Sequence, residues 1–240
     1  MYTVTHTTYT TPRGVPIELA WRVGTNDHNT LYSCLDGDEY GLAALHLTGT
    51  AVDIGAYLGG VTIALAVDNP ELRVIAIEPL PDNATLMREN IDRAGVADRV
   101  TVLEAAAGSK GQKTESTAWN WSDPGGKLEE TMHHHRYVGG STLALDNEGM
   151  AHDTVTTQAY SISSLLKLAK VERFSFLKID CEGCEAKVLT DPAVSKVDRM
   201  AGEWHPWYMT EEGLHDLLDA THEVRTWGTG PGGFEAVRHG

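Results

Sequence analysis

The stretch AVDIGAYLGG, residues 51–60, constrains the architecture more than any other part of the chain. An apolar, β-rich run ends at Asp53-Ile54, a turn follows with Gly55, Gly59 and Gly60, and a helical stretch begins. This is the strand–turn–helix entry of a unit built to hold a nucleotide-type ligand, and such a unit needs a parallel sheet covered by helices. The rest of the sequence supplies one. Thr50 to Ile54, Arg73 to Ile77, Val100 to Glu104, Phe174 to Ile179 and Val197 to Gly202 read as short strands separated by helical stretches. RVIAI and FSFLKI are nearly continuous in apolar character, as strands buried on both faces are. Pro81 opens a helix carrying Leu86, Met87 and Ile91, and Gly95 stands where it would stop. Ser161 or Ser163 caps a later helix, and Thr210 before Glu211 and Glu212 opens another. A further helix is expected from about Asp38 to Leu47. His222 to Trp227 and Phe234 to Arg238, joined by GTGPGG, read as a closing antiparallel hairpin. The fold class is α/β, with a mostly parallel sheet and helices on both faces.

At 240 residues the chain is read as a single domain, 1–240, with an N-terminal arm over about 1–37. The interval of about 108–155 is far longer than an ordinary connection and is expected to be a substrate-covering insertion. With 34 Asp and Glu against 19 Lys and Arg, the net charge of -15 opposes approach to phosphate backbones, so no nucleic-acid partner is expected. No apolar window reaches membrane-spanning length, and the first residues carry no leader pattern, so a cytoplasmic protein with no membrane partner is expected. Three cysteines, an odd and small number, suit a reducing compartment and a fold not held by disulfides. The expected partner is a small-molecule acceptor; the oligomeric state is open, a homodimer included.

Which ligand the glycine turn accepts follows from sterics. In a dinucleotide fingerprint the middle glycine lets the backbone approach a pyrophosphate, and here Tyr57 occupies that place. A large aromatic obstructs a diphosphate. S-adenosylmethionine has no phosphate and carries a sulfonium and an amino acid tail, which suit an acidic, hydrogen-bonding turn. Asp53, Gly55, Ala56, Tyr57 and Gly59 are the expected turn contacts. Glu78, 25 positions after Asp53 and followed by Pro79, would accept from the ribose hydroxyls, although an acidic residue there also serves NAD. Glu104, Ala105 and Ala106, at the third strand's end, would border the adenine.

In order, VDIGAYLG, then IEP at Ile77-Glu78-Pro79, Asn90, AAAGSKG, LKIDCEGCE and GEWH resemble the blocks of the FkbM-like class I methyltransferases over about residues 39–208. LKIDxEGxE is the most specific of these blocks. The resemblance implies a Rossmann-like sheet, S-adenosylmethionine across the carboxyl ends of the first three strands, and O-methylation of a small-molecule, natural-product or sugar hydroxyl. Tyr57 departs from the family's commoner Asn, and the Trp- and His-rich loop over 118–140 is longer than the family pattern requires.

A second constellation follows the fourth and fifth strands. Asp180, Glu182, Glu203 and His205 fall on loops at the same sheet edge and so face the acceptor. Methyl transfer needs an oriented acceptor and gains from a general base; His205 is the first choice, with Asp180, also a cofactor contact, and Glu203 beside it. The same three groups could instead hold Mg²⁺ or Mn²⁺, a less favoured reading, so no metal ligand is assigned. Cys181 and Cys184 read as small packing residues; a zinc site completed by one of the residues 133–135 is the minor alternative. Trp119, Trp121, His134, His135, Arg136 and Tyr137 are the expected substrate contacts. An NAD(P)-dependent oxidoreductase and a non-catalytic metabolite-binding module remain as rivals.

Overall fold

The computed structural model describes residues 2–108, 113–119, 152–206, 208–228 and 232–240. Two strands open it, β1 (Val4–Thr10) and β2 (Pro16–Arg22), paired antiparallel, then helix α1 (Asp27–Cys34) and one 3-10 turn at Leu42–Ala44. The helix expected over residues 38–47 is therefore reduced to that turn. Asp38 stops it from extending: its carboxylate accepts from the Leu42 and Ala43 amides, satisfying them by side chain where a helix would use backbone.

The α/β alternation then runs β3 (Gly49–Ile54), α2 (Gly60–Asp68), β4 (Leu72–Ile77), α3 (Pro81–Arg93), β5 (Val100–Leu103) and the short β6 (Ala106–Ala107). Strands β7 (Lys113–Trp119) and β8 (His152–Tyr160) pair antiparallel, and β6 joins β8 in a separate three-stranded sheet. The chain continues through α4 (Ile162–Ala169), β9 (Phe176–Ile179), α5 (Glu185–Leu189), β10 (Arg199–Trp204), α6 (Glu211–Leu218), β11 (His222–Trp227) and β12 (Gly232–Arg238). Seven strands form the main sheet in the order β11-β12-β10-β9-β3-β4-β5. Its β3, β4, β5, β9 and β10 are parallel neighbours, and β12 runs antiparallel to both β10 and β11, the expected closing hairpin. The fold is Rossmann-like.

The caps explain where the helices begin. Ser161 and Ser164 exchange side-chain and backbone bonds in a capping box, and the Thr210 hydroxyl accepts from the Gly213 amide. One face of the sheet is filled by Leu31, Leu58, Ile63, Leu65 and Met87; the other by Leu165, Phe174, Val188, Leu214 and Phe234. Burying such a side chain contributes about 1.5–3 kcal/mol, so a sheet covered on both faces is the stable arrangement for these continuous apolar runs. Asn90, buried in α3, accepts from the Ala20 amide and donates to the carbonyls of Ala20 and Leu58, tying β2 to the glycine turn. Among the described residues no helix is long and apolar enough to cross a membrane.

Candidate active site

Strand order reverses between β3 and β9, and an open parallel sheet binds its ligand in the crevice beyond the carboxyl ends at such a point. A cavity of about 280 Å³ lies there. Its floor and walls come from Gly55, Ala56, Tyr57, Glu78, Lys178, Asp180, Glu182 and Glu203, and its opposite wall from α1 and the segment after it, including Asn26, Thr30, Glu39 and Tyr40.

Gly55 turns the chain at φ +75°, and an added Cβ would overlap the Asp180 carbonyl oxygen, so only glycine lets the turn rest on the end of β9. Tyr57 takes a left-handed φ of +53°, its amide donates to Glu78 Oε2 at 2.9 Å, and its hydroxyl bonds to Asp27. Glu78 also accepts from the Leu80 amide (3.0 Å) and the Asn83 side chain (3.2 Å), both on Oε1. Burial pushes Glu78 up to about 7 against these bonds. A carboxylate with four acceptor sites and three filled retains one for a ligand hydroxyl.

Asp53 lies beneath the turn rather than in the cavity. It is fully buried, accepts from the Thr62 hydroxyl at 2.6 Å and pairs with Lys178 Nζ at 3.5 Å. Gly59 is the N-cap of α2. Neither it nor buried Pro79, Ala105 and Ala106 lies among the cavity's lining. Glu104 faces outward, paired with Arg88 at 3.3 Å on the surface, which removes it from the expected adenine border. Of the expected acceptor contacts, the side chain of Trp119 and residues Trp121, His134, His135, Arg136 and Tyr137 lie outside the described residues.

Lys178 is the functional residue that sequence reasoning passed over. It sits on β9, 4% exposed, donating to the carbonyls of Gly55 (2.8 Å) and Ile54 (3.3 Å), with Asp180 at 3.9 Å. Burial works against its charge, but Asp53 and then Asp180 outweigh it, so it stays cationic and fixes the glycine turn to the strand tip. The signal was present: a lysine inside a strand covered on both faces must be paired. Tyr40, also buried, donates to Asp180 Oδ2 at 2.9 Å; burial and then the Asp180 charge hold its hydroxyl well above the usual range, keeping it a donor. Asp180 Oδ1 is buried and has no hydrogen-bond partner among the described residues.

His205 is buried behind the lining residues Glu182 and Glu203 and does not itself line the cavity: Nδ1 lies 3.0 Å from Glu185 and Nε2 3.2 Å from Glu182, with Glu203 at 3.9 Å. Burial opposes its charge, but the bonds to Glu182 and Glu185 and their charges prevail and raise it to about 11. An imidazolium donating at both nitrogens has no lone pair for a proton, so the expectation of His205 as general base is withdrawn. Glu203 is the group tuned toward neutrality. Burial, then Asp180 and Glu39, push it up to about 8, with His205 pulling the other way. Desolvation and Asp180 raise Glu39 too. Asp180, Glu203 and His205 each bring one ligand-type atom within 4.8 Å of the others. Metal binding there would first have to detach an imidazole nitrogen from a carboxylate. Cys181 and Cys184 are not independent packing residues: they are joined in a disulfide, which also removes them as zinc ligands.

The sheet order, the turn at Gly55 and the carboxylates at successive strand tips are those of a Rossmann-like methyltransferase. The family model described as Methyltransferase FkbM domain matches residues 53–228. The chain belongs to the FkbM methyltransferase family. It is similar to O-methyltransferase imqG of Aspergillus flavus, 40% identical over 57 residues, which are 24% of this chain and only 23% of that protein. Among solved structures, an inferred rRNA methylase from Clostridium thermocellum is similar in fold, with a TM-score of 0.50 and 9% identity over 85% of this chain and 94% of that one. An O-methyltransferase from Bacillus cereus in complex with S-adenosylhomocysteine gives a TM-score of 0.45 at 18% identity, over 79% and 74% of the two chains.

Proposed function

We propose that this domain methylates a hydroxyl group of a small metabolite, natural product or sugar, with Glu203 taking the proton. The observation that carries this reading is the gathering of Glu78, Asp180 and Glu203 on one cavity at the carboxyl ends of β4, β9 and β10. Glu78, with its free acceptor site, would hold the cofactor ribose, and Gly55, Ala56 and Tyr57 the turn around it. When bound, S-adenosylmethionine supplies an electrophilic methyl on a sulfonium cation, a charge that suits a cavity lined by Glu39, Asp180, Glu182 and Glu203.

The acceptor oxygen must be held about 3–3.5 Å from the methyl carbon, and such orientation can supply roughly 7–11 kcal/mol. Asp180 Oδ1, buried and without a partner among the described residues, would accept from that hydroxyl, its partner oxygen pinned by Tyr40. Glu203, raised to about 8, is a stronger base than an ordinary carboxylate and can receive the proton as the hydroxyl becomes an ether. The curated relative acts in name as an O-methyltransferase, which favours oxygen as the acceptor atom.

The test is methyl transfer to a panel of hydroxyl acceptors. Glu203→Gln should lower turnover by about 10²-fold or more, and the wild-type rate should climb with pH toward about 8. Full activity in Glu203→Gln would remove it as the base. Activity lost to EDTA and restored by Mg²⁺ would favour the metal-assisted version at Asp180, Glu203 and His205.

A further inference from the structure

The disulfide lies directly after Asp180, in the loop that joins β9 to α5. Cys181 is partly buried and lines the cavity, whereas Cys184 is buried at the start of α5. The two residues between them hold left-handed backbone, Glu182 at φ +56° and Gly183 at φ +114°, and an added Cβ at Gly183 would overlap the Tyr208 ring. The loop amides of Cys181 and Gly183 both donate to Glu185, at 3.1 and 2.9 Å, and Glu185 also bonds His205. On the other side, the Gly55 turn packs against the Asp180 carbonyl and the Cys181 backbone. The loop closed by the disulfide is therefore part of the surface on which the cofactor turn rests. The third cysteine, Cys34, lines the opposite wall, and burial pushes its thiol up, keeping it protonated and unreactive.

We propose that Cys181–Cys184 is a second reactive site of this cavity, an exchangeable disulfide whose reactants are low-molecular-weight thiols and disulfides and whose oxidised form is the one that binds the cofactor tightly. The proposal rests on reading the cavity as the S-adenosylmethionine site. A thiolate RS⁻ entering the cavity attacks the Cys181 sulfur; the R–S–S–Cys181 bond forms, the Cys181–Cys184 bond breaks, and Cys184 leaves as a thiolate and takes up a proton. A second RS⁻ attacks the R sulfur, RSSR departs, and Cys181 leaves as a thiolate that takes up a proton. The sum is one disulfide and two RSH giving a dithiol and RSSR, and RSSR drives the reverse. Attack falls on Cys181 because, of the two bridged residues, it is the one that lines the cavity. Opening the loop frees the peptide after Asp180 from its short tether and loosens the seat of the Gly55 turn.

Thiol counting with an aromatic disulfide reagent, paired with calorimetric titration of S-adenosylhomocysteine, tests this on the whole chain. The purified, air-oxidised protein should expose no fast-reacting thiol. Dithiothreitol in native buffer should release two, with Cys34 reacting only after unfolding. Reduction should weaken S-adenosylhomocysteine by about three- to tenfold, oxidised glutathione should restore it, and Cys181→Ser/Cys184→Ser should bind like the reduced form regardless of redox state. A disulfide that opens only in denaturant, or equal affinity in both redox states, overturns the proposal. Should neither form bind S-adenosylhomocysteine, the cofactor reading fails with the coupling, while the native-state thiol count still decides whether the disulfide exchanges.

Discussion

If His205 is a buried cation held between Glu182 and Glu185, replacing it with glutamine must change how stability depends on pH. Its folded-state value of about 11 lies far above the ordinary 6.5. The histidine's contribution is therefore fully present below pH 6.5 and is lost as pH rises from there toward 11. Each pH unit inside that window costs up to about 1.4 kcal/mol, because the unfolded chain has released a proton that the folded chain retains. Integrated from pH 7 to pH 9 with an unfolded value of 6.5, the loss is about 2.5 kcal/mol. Glu78, raised to about 7, contributes alike in both proteins. Glu203 is partly held down by the His205 charge, so it rises further in His205→Gln and offsets part of the difference, which makes the imidazole's loss the upper bound of what the comparison shows. Urea unfolding of both at pH 7, 8 and 9 should show the wild type losing more than the variant across that range, by up to about 2.5 kcal/mol. Parallel curves would mean that His205 is neutral at pH 7, with a lone pair free for catalysis, and the reasoning that excludes it as a base would be wrong.

Two further expectations concern the cavity floor. On the proposal that a ribose hydroxyl donates to an ionised Glu78, wild-type affinity for S-adenosylhomocysteine should tighten as pH rises through about 7; Glu78→Gln should bind about tenfold or more weakly and lose that dependence, and a pH-independent wild-type affinity would count against this assignment. Lys178→Met should cost about 3–5 kcal/mol in urea unfolding, because it strands the fully buried Asp53 carboxylate and leaves the Gly55 carbonyl without its donor; a loss below about 1 kcal/mol would show that this pairing does not hold the turn.

The sheet was legible in the sequence because its strands are short apolar runs set between capped helices, and both signals are local. Ser161 and Thr210 cap as their side-chain chemistry requires, and Gly95 turns at φ +70° just past α3. Where the reading of the site failed, the deciding contact was distant in sequence; the helix over residues 38–47 failed for a local reason. The Asp38 carboxylate unmade the helix expected over residues 38–47 within a few positions, but α1 became a cavity wall only by packing across the glycine turn. His205 looked like a base because a lone histidine titrates near neutrality. It is Glu182 and Glu185, some 20 positions earlier, that take both its nitrogens. Asp53 is in the expected turn sequence, yet the ammonium that claims it arrives from position 178. Spacing along the chain does not encode such pairings; the register of β3 against β9 does.

The central claim is that the crevice between β3 and β9 receives a thioether nucleoside and not a diphosphate. Calorimetric titration of the same preparation with S-adenosylhomocysteine and with NAD addresses it most directly. One S-adenosylhomocysteine per chain and no heat from NAD is the expected result. Binding of NAD with no response to S-adenosylhomocysteine would contradict it.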